Sequence, residues 1–177
     1  TRGSEITVEG GDYGFKINKE KEKEDIIKTI KAGETVDREP IYSQKAISHE
    51  GNEIGNTYVE VSIGGQHLWF YKNGELITDG AVVTGNTSAG NGTPAGVYFL
   101  LYKETNAILR GDNYATPVNY WMPFNGGIGM HDASWRSSFG GNIYSYSGSH
   151  GCVNCPYSLA QKIYNNIDSG TPVICYY

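Results

Sequence analysis

The chain has 177 residues, with 14 Lys and Arg against 19 Asp and Glu, for a formal net charge of −5. That length fills one good core with a small appendage, and without clustered Lys and Arg it excludes a nucleic-acid partner. No apolar run is long enough to cross a bilayer, and 24 Gly and 14 Tyr without a collagen-like period describe a loop- and strand-rich globular protein.

In chain order, the opening TRGSEITVEGG lacks the charged-then-apolar organisation of a signal segment, and is read as a boundary from which a targeting segment has been cut away. INKEKEKEDIIKTIKAG (17–33) predicts a short amphipathic helix with Ile26, Ile27 and Ile30 on one face and Gly33 as its stop. The polar stretch DREPIYSQKAISHEGNEIGN reads as a linker. Residues 1–55 are too few in apolar groups for a core of their own, so they are expected to be the tail of a larger module or a strap.

From Thr57 the period changes. TYVEVSI alternates, with Val59, Val61 and Ile63 on one face. Asn73-Gly74 between two apolar runs predicts a hairpin, because a type I′ turn needs positive φ at both central residues. GVYFLLYKE is a strand, and GIGMHDASW is a strand running into a loop. PYSLAQKIYNNIDSGTP predicts one clear helix, with Pro156 at its first position, a stripe of Leu159, Ala160, Ile163 and Ile167, and Gly170 with Pro172 to end it. TPVICYY is a last strand. Many strands and few helices make residues 56–177 a mainly β domain.

Four donors cluster in sequence: His131, His150, Cys152 and Cys155. Three chemistries compete for them. A zinc site can use two His and two Cys, but His131 and His150 are 19 residues apart and match no finger spacing. A thiol–disulfide exchanger uses Cys-x-x-Cys, yet the βαβ surroundings of that chemistry are missing. Nucleophilic catalysis needs a thiol, a nearby base and donors for an oxyanion, which Cys152, a His and the Gly151 and Cys152 N–H groups can supply. A buried inert thiol is the usual alternative for any single Cys.

SHGCVN (149–154) with MHDASW upstream resembles the signature of L,D-transpeptidase catalytic domains, the cysteine enzymes that cross-link bacterial peptidoglycan. Cys152 follows His131 by 21 residues, inside the family's usual gap. YVEVSIGGQHLWFYKNGELI, VVTGNTSAGNGTPAGVYFL, HDASWRSSFGG and NYWMPFNGGIGMHD resemble further segments of the family, the last as in its Gram-positive members. The resemblance covers residues 57–177 and implies a β-sandwich with one or two short helices. It also implies that residues 1–55 form the end of a preceding small α/β module. Cys155 departs from the pattern.

By that resemblance Cys152 is the nucleophile and His131 the base, with the backbone carbonyl of Ser149 accepting the His131 N–H. Asp132 is set aside as that acceptor, since neighbouring side chains on a strand point to opposite faces. His150 shapes and polarises the site, and the Gly151 N–H faces the oxyanion. Tyr120, Trp121, Asn154 and Arg136 are candidates for substrate contact. The competing roles are core packing for the two aromatics, loop fixing for Asn154 and pairing with a structural acid for Arg136, the commoner use of such an Arg. Cys155 and Cys175 pair with each other, or Cys152 pairs with Cys155, or all three are reduced; sequence does not choose.

The implied activity is acyl transfer on peptidoglycan stem peptides outside the cell membrane, by an enzyme that is membrane-anchored or secreted, monomeric, and needs neither metal nor cofactor. Carbapenem-type β-lactams are expected to acylate the same Cys. Two alternatives stand beside it: an L,D-carboxypeptidase that hydrolyses the same bond, and a zinc-stabilised wall-binding module without catalysis.

Overall fold

A computed structural model describes residues 5–49, 51–111 and 114–177. The chain divides into two compact units: Tyr13–Gly55, and the residues up to Asp12 together with Asn56–Tyr177.

In the smaller unit, β1 (Lys16–Ile17) pairs antiparallel with β2 (Tyr42–Gln44), and α1 (Lys19–Ala32) lies between them in sequence. Asn18 caps α1, its side-chain oxygen accepting from the Lys21 N–H at 3.1 Å. Gly33, at φ 67°, ends the helix as predicted. Arg38 ties the first turns down by ion pairs to Glu22 and Asp25 at 3.1 and 2.7 Å. No residue of α1 is buried, so the Ile26, Ile27 and Ile30 face stays exposed. Caps and ion pairs, rather than an apolar contact, account for this helix.

The larger unit contains two sheets. β3 (Tyr58–Ser62), β4 (His67–Lys72), β5 (Glu75–Ala81), β6 (Gly96–Phe99) and β11 (Pro172–Tyr176) form one, in the order β5-β4-β3-β11-β6. β7 (Glu104–Gly111), β8 (Tyr114–Asn125), β9 (Ile128–Asp132) and β10 (Val153–Cys155) form the other, in the order β10-β9-β8-β7. The β4–β5 turn has Asn73 at φ 54° and Gly74 at φ 85°, the positive pair that Asn-Gly supplies at low cost. Val59 and Val61 of β3, and Ile63 just after it, are completely buried. They share one core with Leu68 and Phe70 of β4, Met122 and Phe124 of β8, Met130 of β9 and Val153 of β10. Both sheets thus face one apolar layer, the sandwich arrangement.

Two short helices complete this unit: α2 (Ile143–Ser147), which periodicity did not predict, and α3 (Tyr157–Asn166). Leu159, Ala160, Ile163 and Ile167 are buried as their spacing requires. Pro156 is the N-cap of α3 rather than its first residue, and the helix stops at Asn166, before Gly170. Residues Gly10–Asp12 run along β6: the Asp12 N–H donates to Val97 O and the Val97 N–H to Gly10 O, both at 3.0 Å. Among the described residues no helix is long and apolar enough to cross a membrane.

Candidate active site

β10 lies parallel to β9, with Asn154 opposite His131 and Val153 opposite Met130. A parallel pair cannot be joined by a tight turn and needs a crossover of a dozen residues or more. Residues 133–152, including α2, are that crossover, and they return Cys152 to the side of the strand that carries His131. The 21-residue spacing is thus the length of a strand connection.

The returning chain is pinned by the segment after β5. The Ser149 N–H donates to Thr84 O at 3.0 Å, the Asn86 N–H to Ser149 O at 2.8 Å, and Val83 and Asn154 exchange two backbone bonds at 2.9 Å. Within the loop, Ser149 Oγ donates to Cys152 O at 2.5 Å and accepts from the Gly151 N–H at 3.1 Å. Buried Thr93 donates to Gly151 O at 2.6 Å and accepts from the Gly85 N–H at 2.9 Å. Gly151 sits at φ +123°, and a Cβ there would press on Ile128 at 3.0 Å, so only Gly fits.

His131 is buried on β9, between Trp121 and Trp135 at ring distances of 6.0 and 5.8 Å. Its Nδ1 lies 2.9 Å from the carbonyl oxygen of Asp132. A carbonyl only accepts, so Nδ1 carries the proton and Nε2 keeps the lone pair of a base. Here the structure corrects the sequence reading: the acceptor is Asp132 O, because the ring folds back over its own strand. Ser149 O accepts instead from Asn86. The Asp132 side chain points the other way, as alternation requires. It accepts from the Asn119 and Tyr120 backbone N–H groups at 2.8 Å and from Asn119 Nδ2 at 2.8 Å, and so fixes β8 against β9.

Burial holds the His131 imidazole below its ordinary pKa; the Asp132 carbonyl bond and carboxylate oppose this, and the Arg136 charge adds to it. Burial pushes the Cys152 thiol up, partly offset by a Gly129 backbone hydrogen bond. Both shifts favour the uncharged forms, thiol and imidazole. Cys155 and Cys175 are fully buried and free, burial pushing Cys155 far up and Cys175 up to about 12.

Cys152, His131, Ser149, His150, Asn154 and Arg136 line one open cleft of about 300 Å³, with Trp135 and with Leu109, Tyr114 and Thr116 from the β7–β8 hairpin. His150 is exposed and stacks on Tyr114, with ring centroids 5.1 Å apart. Asn154 is buried, and its Oδ1 has no hydrogen-bond partner among the described residues. Arg136 Nη2 donates to Ser147 O at 2.8 Å.

Three further expectations need correction. The Gly151 N–H is already held by Ser149 Oγ and is not free for an oxyanion. Tyr120 is on the far face of β8, where its hydroxyl accepts from Gln161 Nε2 at 2.8 Å and its ring packs on Tyr157 and Tyr164 of α3. Trp121 is buried behind the cleft with Ala107 and Val118, and Cys152 packs against that cluster. The Arg136 guanidinium has no acidic partner among the described residues. The sequence reading assigned no role to the Ser149 hydroxyl, the Asp132 carboxylate, Trp135 or Thr93, although all four lie in the segments that carry the resemblance, SHGCVN, MHDASW and VVTGNTSAGNGTPAGVYFL. Among the described residues no three His, Cys, Asp or Glu converge as a metal site.

Residues 56–175 match the family model of the L,D-transpeptidase catalytic domain, YkuD. The chain belongs to the L,D-transpeptidase family. Among solved structures, the L,D-transpeptidase of Enterococcus faecium is 37% identical, with a TM-score of 0.82 over 99% of this chain and 71% of that one. The avibactam carbamoyl form of Ldtfm is 38% identical, with a TM-score of 0.82 over 100% of this chain and 70% of that one. The ertapenem-acylated catalytic domain of the E. faecium enzyme is 39% identical, with a TM-score of 0.63 over 69% of this chain and 98% of that one. A comparison with curated proteins gives no match. The protein is therefore a mainly β cysteine acyltransferase of the L,D-transpeptidase type, from a family that acts on peptidoglycan.

Proposed function

We propose that this L,D-transpeptidase forms 3-3 cross-links by a thioester at Cys152. His131 Nε2 takes the thiol proton as sulfur attacks the carbonyl of the L-centre before the terminal D-residue of a tetrapeptide stem. The resulting oxyanion meets the Cys152 N–H. The carbon–nitrogen bond breaks, the imidazolium gives its proton to the leaving amine, D-Ala departs, and the acyl group stays on sulfur. An amine from a neighbouring stem then attacks the thioester, loses a proton to His131 and regenerates the thiol. Water in place of that amine would give the carboxypeptidase product.

The observation that carries this reading is the Nδ1–H bond from His131 to Asp132 O, which leaves Nε2 as base in the cleft that Cys152 lines. The Ser149 hydroxyl and Asn154 hold the loop, His150 shapes the cleft wall, and Arg136 meets substrate. Trp121 supports His131 from behind, and Tyr120 serves packing. Carbapenem-type β-lactams acylate Cys152 in the same way, a reading supported by the ertapenem-acylated relative. Tyr13–Gly55, rather than all of residues 1–55, belong to a module preceding the catalytic domain, since the residues up to Asp12 group with the catalytic unit; the match to the E. faecium enzyme over 99% of this chain supports that reading. The enzyme works as a monomer outside the membrane, secreted or anchored.

The test is incubation of purified protein with a stem tetrapeptide and an acceptor amine, followed by mass spectrometry. Cross-linked dimer and free D-Ala are expected, and Cys152→Ala should yield neither. Released D-Ala without dimer would favour the carboxypeptidase, and turnover surviving in Cys152→Ala would overturn the assignment of the nucleophile.

A further inference from the structure

Among the described residues, Arg136 is the one Lys or Arg lining the cleft, and no Asp or Glu lines it. Its Nη2 is held by the Ser147 carbonyl, a neutral acceptor at the end of α2. No ion pair to Arg136 exists among the described residues, whereas Arg38, which is also partly exposed, has two. The Arg136 Nε–H is buried with no acceptor. Among the described residues, the two buried side-chain polar atoms without partners are Arg136 Nε and Asn154 Oδ1, and both residues line this cleft. Buried polar groups are nearly always satisfied, so two unsatisfied ones on residues of a single cleft set that cleft apart. A partly desolvated guanidinium without a counter-charge is best completed by a planar anion that can take two N–H bonds at once.

We infer that Arg136 is a specificity-determining residue that binds the free α-carboxylate of the C-terminal D-residue expelled in the reaction. The inference rests on the acyl-transfer reading above. In that substrate the carboxylate is one residue beyond the scissile carbonyl, within the span of a cleft that holds both Cys152 and Arg136. A cation in the same cleft as the nucleophile makes the enzyme an end-reader: a stem whose chain continues past the fourth residue, or whose carboxylate is blocked, cannot pair with it. The departing D-amino acid carries the charge away, which leaves Arg136 free while the thioester awaits the acceptor.

The experiment compares two synthetic tetrapeptides, one ending in D-Ala as the free acid and one as its carboxamide. The rate of release of D-Ala or D-alaninamide is followed by mass spectrometry for wild type, R136Q and R136K. Wild type should favour the acid by about 10- to 100-fold, the range for a charged hydrogen bond. R136Q should bring that ratio close to one, and R136K should leave an intermediate ratio, because Lys keeps the charge without the fork. A ratio that survives in R136Q, or an active wild type indifferent to the carboxylate, overturns the inference alone. A wild type inert on both peptides overturns the acyl-transfer reading and this inference with it. Should R136Q fail to fold by circular dichroism, the wild-type ratio and R136K still decide.

Discussion

Ser149 does more for the nucleophile than its carbonyl was expected to do. Its hydroxyl donates to Cys152 O and accepts from the Gly151 N–H, so one side chain sets the backbone before and after the Cys152 N–H. Ser149→Ala removes both bonds and is expected to slow acylation by about 5- to 30-fold, from about 1–2 kcal/mol of lost hydrogen bonding, as read by stopped-flow acylation with a carbapenem. Retained wild-type rates would show that the loop keeps its shape without the hydroxyl. His131 gives a second prediction at this scale. Burial holds its pKa below the ordinary imidazole value, about 6.5. The base must be unprotonated, so the acid limb of the acylation rate should have its midpoint below that value. A midpoint at or above it would mean another group limits the rate. The same depression makes His131 favour folding above the ordinary imidazole value, a contribution lost as pH falls through the depressed one. The identity of these residues was legible because Ser-His-Gly-Cys-x-Asn is local in sequence. Their third partner was not. Whether a ring folds onto the next carbonyl of its own strand or crosses to a loop depends on a rotamer that no sequence pattern encodes.

The core-facing side of β3, the β4–β5 turn and the α3 stripe were legible at the scale of elements. β3 alternates, the β4–β5 turn has Asn-Gly, and Leu159, Ala160, Ile163 and Ile167 fall on one helical face. The β7–β8 hairpin was not read, although it supplies one cleft wall. β7 is exposed at most positions, so it has no alternation to detect. α2 has five residues and none buried, too short for a helical period to show. The consequence of reading β8 without its register was the placement of Tyr120 in the cleft. Alternation sends Trp121 toward His131 and Tyr120 toward α3. α3 is the wedge that fills the core beside both sheets, with Ile163 wholly buried at its centre. Ile163→Ala is expected to destabilise the fold by about 2–5 kcal/mol, measured by urea unfolding, while labelling of Cys152 in the folded state is retained. A loss under about 1 kcal/mol would mean the core repacks around the gap.

Across the larger unit, two sheets share one core, and the crossover between two parallel strands brings the nucleophile into the cleft that the base lines. The three thiols divide accordingly. Cys155 and Cys175 are buried among apolar side chains and held protonated, which makes them inert. Cys152 stands at the cleft beside His131 and is the thiol that chemistry can reach. The odd count, which at sequence level left a disulfide open, reflects two core residues and one reactive one. The most direct measurement of this account is the intact mass of the protein after mixing with ertapenem, followed by peptide mapping. The account predicts a single adduct, on the peptide carrying Cys152, absent from Cys152→Ala and much slower in His131→Ala. An adduct on Cys155 or Cys175, or no adduct on the folded, reduced protein, would contradict it.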